Sequence, residues 1–196
     1  MKDKKSVEYS NMKPDFFASY FNNVSSALEE VDVTELIEIS EIVLDANRKG
    51  GKVIIVGNGG SAAMASHLSV DFTKAAGIRA VNFNEADLLT CFANDYGYEY
   101  WVKQALTAYA DQNDVVILIS SSGNSMNIIN GAKQANEMGL STITVSGFNR
   151  QNPLRALGIV NLWCDSCNYN IVEMTHHIWL LSIVDYIIDK KSAGGP

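Results

Sequence analysis

The apolar positions along the chain follow two rhythms, and the change from one to the other divides it. From Pro14 to about Arg48, Phe17, Phe21, Val24, Leu28, Val31, Leu36, Ile39, Val43 and Leu44 recur mostly at three- and four-residue steps. That is the spacing of one helix face. The stripe breaks at "EVDVTEL", where Thr34 is placed to cap a second segment. The pattern therefore predicts two helices, roughly 14–29 and 34–48, closed at Gly50 and Gly51. A stripe this long needs a partner surface, either the rest of the domain or another subunit.

After Gly51 the rhythm changes. "KVIIVG" is a short, continuous, β-branched run ended by glycine, as expected of a buried parallel strand. Helix-patterned and strand-patterned stretches then alternate. "AAMASHLSVDFTKAA" reads as helix, "IRAVNFN" as strand, "EADLLTCFANDYGYEYWVKQALTAYA" as helical segments and "DVVILIS" as strand. "SMNIINGAKQANEMG" returns to helix, "LSTITVSG" to strand, "LRAL" to a short helix and "GIVNLWCD" to a fifth strand. "NIVEMTHHIWLLSIVDYIIDKK" closes the series as a long, largely apolar helix. This alternation predicts an α/β fold: a doubly wound parallel sheet flanked by helices, with an N-terminal helical arm. The expected organisation is a disordered N-terminus at 1–13, one domain over 14–190 that includes helices 14–48, and a disordered tail at 191–196, where "KKSAGGP" turns polar and Gly-rich.

Composition narrows the function. A chain of 196 residues, 47% hydrophobic and 19% charged, suits one domain with a full core. Its formal net charge of -7 argues against nucleic acid as a partner, because phosphate backbones are bound by clustered Lys and Arg. A small anion is still allowed, since a few backbone N–H groups hold a phosphate whatever the global charge. Cys91, Cys164 and Cys167 are odd in number and read as reduced thiols; Cys164 and Cys167 form C-x-x-C with no second pair to complete a zinc knot. No stretch reads as a membrane span of about 20 apolar residues, and "MKDKKSVEYSNMK" has no apolar signal core. The expectation is a cytoplasmic chain without a membrane partner. Trp101, Trp163 and Trp179 read as core or interface anchors, and Lys52, Lys74 and Arg79 as solvated charges.

In a sheet of this kind ligands bind beyond the carboxyl ends of the strands. Two loops there stand out. "GNGGS", Gly57 to Ser61, follows the first strand and opens a helix, so its glycines allow close backbone approach beside unpaired N–H groups. "SSSGNS", Ser120 to Ser125, follows the third strand, and the hydroxyls of Ser120, Ser121, Ser122 and Ser125 add to the amides to make a cup for one phosphate. Neither loop has the Lys of a triphosphate-binding loop. Gly57 to Ala62 does match the dinucleotide fingerprint G-x-G-x-x-[GA], which keeps an NAD-binding oxidoreductase as one reading. The ribose-binding acid it requires is at best Glu85, and the serine loop would be unexplained.

Together with "FANDYG" between them, these two loops resemble the SIS (sugar isomerase) domain, in its phosphoheptose isomerase branch, over roughly Phe16 to Ile188. The resemblance implies a five-stranded parallel sheet and a homotetramer with sites at subunit contacts. It also implies a sugar-phosphate ligand, no nucleotide cofactor, and interconversion of sedoheptulose 7-phosphate with a heptose phosphate. Asn58, Gly59, Gly60 and Ser61 would line the sugar site, Asn94 and Asp95 would touch the sugar, and Ser120, Ser121, Ser122 and Ser125 would grip phosphate.

The enediol chemistry of such enzymes needs a base for a C–H proton and an acid for oxygen. The family uses a Glu on the helix after the first loop and a His on the last helix, and some members hold zinc with a His one turn before that Glu. By this match the His is His67, and the Glu position holds Asp71. On the last helix Glu173 aligns with the family's Gln or Glu, but the family's His falls on Leu181 or Leu180, which cannot carry a proton. Glu173, His176 and His177 share a helix face, as do His67 and Asp71. The replacement set is Asp71, Glu173 and His177 for catalysis, with His67, Asp71 and Glu173 as a zinc set. A different reading is a non-catalytic phosphosugar-binding or regulatory protein that kept the cups and lost turnover.

Overall fold

The computed structural model describes residues 14–193. It contains helices α1 (Pro14–Glu29), α2 (Val33–Arg48), α3 (Gly60–Lys74), α4 (Ala86–Tyr96), α5 (Trp101–Tyr109), α6 (Met126–Glu137) and α7 (Tyr169–Ala193). The strands are β1 (Val53–Val56), β2 (Ala80–Asn82), β3 (Val115–Ser120), β4 (Ser141–Gly147) and β5 (Val160–Cys164), and "LRAL" forms one 3-10 turn, Arg155–Leu157. The expected disorder at 1–13 and at 194–196 lies outside the described residues. The tail does not begin at 191, because α7 runs on to Ala193. Lys190 and Lys191 in its last turn suit the negative end of the helix dipole, and Lys191 Nζ donates to Ala76 O at 2.7 Å.

All strand pairs are parallel, in the order β2-β1-β3-β4-β5. Side chains alternate between two cores, as strand geometry requires. Val53, Ile55, Val115, Ile117 and Ile119 face the α2, α3 and α7 side, whereas Ile54, Val56, Val116 and Leu118 face α5 and α6. Because β2 lies on one side of β1 and β3 on the other, the chain leaves neighbouring strands in opposite directions. A crevice opens at that switch point. The two loops singled out above both begin there.

Four sequence expectations change. Asp32, not Thr34, caps α2: its carboxylate accepts the Thr34 N–H at 2.9 Å and the Thr34 hydroxyl at 2.7 Å. Lys52 is not solvated, since its ammonium reaches Asp111 at 2.7 Å and the fully buried Asp114 carboxylate at 2.6 Å. The helix α7 is long and apolar enough, by composition, to cross a membrane, which corrects the expectation that no stretch reaches that length; half of its most apolar window is buried inside the fold, as in a core helix. Trp101 and Trp179 are core anchors as expected, but Trp163 lies beneath the guanidinium groups of Arg150 and Arg155.

Candidate active site

The serine loop is fixed from below. Gly123 has φ +66°, and a β-carbon there would overlap the Asn152 side chain. Asn152 is buried and ties three segments together, donating to Ser146 Oγ at 3.1 Å and Gly147 O at 3.2 Å while its Oδ1 accepts the Arg155 N–H at 3.0 Å. Gly147 N donates to Ser121 O and Leu154 N to Gly123 O, pinning the loop backbone to β4 and the segment after it. Ser125 is the N-cap residue of α6, yet its hydroxyl makes no capping bond; it accepts from Ser120 Oγ at 3.1 Å. The hydroxyls thus stay in the loop's concavity, beside the unpaired first-turn N–H groups of α6 and its positive dipole end. That combination is an anion cup.

The glycine loop meets it across the switch point. A cavity of about 120 Å³ is lined by Asn58 and Ser61 from the first loop, Ser120, Ser121, Ser122 and Ser125 from the second, and Tyr169 and Glu173 from α7. Gly59, at φ +53°, turns the chain into α3. Gly60 has a different purpose: a β-carbon there would overlap the Glu173 carboxyl group. The bare position lets α7 seat that group against the start of α3, where Ser121 Oγ also donates to it at 3.4 Å. Glu85, the acid a dinucleotide would need, lies in a separate groove with Ser69 and Thr73. The NAD reading loses its second contact.

A second cluster lies farther along the same two helices. His67 Nδ1 and His177 Nε2 are 3.0 Å apart, and His67 Nε2 is 3.2 Å from Asp71 Oδ2. The three form a chain, Asp71–His67–His177, half exposed to solvent. Burial, and then the neighbouring His67, hold His177 below the ordinary imidazole range, with Asp71 opposing. Both influences favour its neutral form. His176, its neighbour in sequence, is fully buried, donates Nε2–H to Ser146 O at 2.9 Å, and is pushed down to about 4 by desolvation. Leu180 is buried and Leu181 packs on the same core.

The zinc set is not assembled. Glu173 stands at Gly60 and Ser121, apart from His67 and Asp71, and both ring nitrogens of His67 are engaged by protein. Among the described residues no three His, Cys, Asp or Glu converge as metal ligands. Nor do Asn94 and Asp95 reach the cavity: they sit on α4, which has no buried residue, and Asn94 Nδ2 donates to Asp95 Oδ1 at 2.9 Å. Cys164 is buried, and desolvation raises its thiol to about 11, so it is inert.

Three residues near the cavity had escaped the sequence reading. Tyr169 lines it, and the Asn127 amide and the Tyr98 hydroxyl both bind the Asn58 side chain. Asn127 had a signal, an amide in the first turn of an otherwise apolar helix face.

Comparison with known proteins agrees with this geometry. Residues 17–147 match the SIS domain family. The chain is 36% identical to the phosphoheptose isomerase of Fusobacterium nucleatum over 124 residues, 61% of this chain and 64% of that protein. A probable phosphoheptose isomerase of Thermoplasma acidophilum is 32% identical over 179 residues, 88% of this chain and 97% of the relative. The structure of the phosphoheptose isomerase GmhA from Neisseria gonorrhoeae superposes with a TM-score of 0.82 at 27% identity, covering 88% of this chain and 97% of that one.

Proposed function

The chain belongs to the SIS domain family, and from that premise we propose how it works as a sugar-phosphate aldose–ketose isomerase of the phosphoheptose type. One observation carries the reading: the serine loop, the start of α3 and the Glu173 carboxyl group share a single cavity. That cavity has room for the phosphate group, which takes hydroxyl and amide donors from Ser120, Ser121, Ser122 and Ser125. The sugar then runs out over Asn58, Gly59, Gly60 and Ser61 along α3, where His67 lies about 10 Å beyond Gly60 at the usual helical rise. A seven-carbon chain anchored by its phosphate spans from the cup toward the histidine cluster.

Isomerisation moves two protons and no net electrons. A base takes a proton from C1 of the ketose, O2 is protonated, and the enediol is then protonated at C2 while O1 loses its proton to give the aldose. In our assignment His177 and Asp71, joined through His67 at the end of the sugar away from the phosphate, handle these protons, and the Glu173 carboxyl group beside Gly60 orients the carbon chain. Leu180, which is buried, and the partly buried Leu181 have no part in it. Zinc, if it binds, is not a partner of Glu173 in this arrangement, and no step depends on it.

We infer a homotetramer with sites completed at subunit contacts. In support, Phe16, Phe17 and Phe21 are exposed on α1, and α4 presents Asn94 and Asp95 without burying a residue. Light scattering tests the assembly; a monomer at micromolar concentration would count against it. A second reading, a phosphosugar sensor without turnover, draws on Leu180 and Leu181. Incubation with sedoheptulose 7-phosphate in D₂O, followed by NMR, separates the two. The isomerase gives a heptose phosphate with deuterium at the exchanged carbon, whereas binding without product or exchange favours the sensor.

A further inference from the structure

Asn58 lies in the glycine loop and Asn127 in the first turn of α6, just past the serine loop; they are 69 residues apart in sequence, and their side-chain amides meet edge to edge. Asn58 Nδ2 donates to Asn127 Oδ1 at 3.0 Å, and Asn127 Nδ2 donates back to Asn58 Oδ1 at 2.8 Å. A reciprocal amide pair has no inherent polarity, because turning both amides over restores both bonds. A third group joins the pair. The Tyr98 hydroxyl donates to Asn58 Oδ1 at 3.0 Å. A phenol can donate or accept, and with the two amides oriented as in the structure it donates, so that Asn58 offers it an oxygen.

The consequence is chemical. Asn58 Oδ1 accepts two hydrogen bonds, which fills its two lone pairs, and one Nδ2 hydrogen is used on Asn127. What remains is one N–H, on a side chain that lines the cavity. We propose that Tyr98 and Asn127 are positioning residues that fix Asn58 as a pure donor, so that the site selects an oxygen acceptor of the sugar phosphate next to the serine cup. Because Asn127 lies in the first turn of α6 and Asn58 precedes α3, the same pair holds the two loops in register. Asn127 is buried, so no water can replace it, whereas Tyr98 is half exposed and can be altered without opening the core.

This inference rests on the isomerase reading for its substrate but not for its geometry, and the experiment separates the two. In ligand-free protein, ¹⁵N NMR of the Asn58 and Asn127 side-chain NH₂ groups should show one slowly exchanging proton on each. Tyr98→Phe should speed that exchange at least about tenfold and raise KM for sedoheptulose 7-phosphate by about 5- to 10-fold, with kcat within about twofold. Asn127→Asp, which keeps the acceptor and removes the donor, should produce a larger KM rise. A purely structural role would lower the melting temperature while leaving KM and the Asn58 exchange rates of folded Tyr98→Phe unchanged, and that result overturns the inference. If the wild-type protein turns over no ketose phosphate, the isomerase reading fails by itself. Calorimetric binding of the same sugar phosphate then replaces KM, and equal affinity of wild type and Tyr98→Phe, with equal amide exchange, overturns the positioning role.

Discussion

The serine cup and the histidine cluster both adjoin the helices α3 and α7 but are built by opposite means. The cup is backbone work: β3 and β4 set its position, Gly123 shapes it, and the buried Asn152 amide locks it from beneath. The cluster is side-chain work on a helix surface, with His67 and Asp71 one turn apart and His177 reaching across from α7. A backbone site depends on strand order and glycine placement, so it persists while side chains vary. A side-chain cluster can be rewired by a few substitutions. On the proposed function, binding is the rigid half of this site and proton transfer the adaptable half.

The comparison is broken most severely at the adaptable half. Asp71→Asn keeps the hydrogen bond to His67 and removes its charge; kcat should fall by about 100-fold or more while affinity for inorganic phosphate stays within about twofold. Loss of both together would mean that the two halves are not separable. Steady-state kinetics beside calorimetry reads the difference.

The next effect concerns stability between the halves, at His176. Its folded-state value near 4 lies below the ordinary 6.5, so the unfolded chain takes up a proton that the folded chain refuses. Above pH 6.5 the residue costs nothing. As pH falls from 6.5 toward 4 the fold should lose up to roughly 3 kcal/mol, a loss that levels off below 4. Urea titrations across that window test this, and His176→Gln, whose amide can still donate to Ser146 O, should flatten the slope.

Gly123→Ala strikes the rigid half. Its β-carbon meets Asn152 and its φ of +66° suits glycine, so the variant should lose about 1–3 kcal/mol by chemical denaturation and bind phosphate weakly. Unchanged phosphate affinity would show that loop shape does not matter. The smallest change, Ser122→Ala, removes one hydroxyl from the cup and should weaken sugar-phosphate binding by about five- to tenfold without moving kcat.

How much of this was legible beforehand follows from how each part is built. β1 and β3 are continuous apolar runs buried at every position, and such runs announce themselves in sequence. The loops are legible for the same reason, because glycine and serine after a strand have few other uses. What depends on a partner far along the chain was not. Asn127 acquires its role from Asn58, and Lys52 is drawn partly inward because the buried Asp114 carboxylate pairs with it. His176 and His177 are adjacent letters, yet about 100° of helical rotation puts one in the core and the other against His67. Glu173 was grouped with His67 and Asp71 as a metal set, but the bare Gly60 lets its carboxyl group seat at the start of α3, about two turns away from His67.

The central claim is that both loops serve one ligand, and a crystal structure of the protein with sedoheptulose 7-phosphate tests it most directly. The account predicts phosphate oxygens within hydrogen-bonding distance of Ser120, Ser122 and Ser125, with the carbon chain passing Asn58 and Gly60 toward His67. Phosphate bound away from the serine loop, or a sugar that leaves the start of α3 untouched, would contradict it.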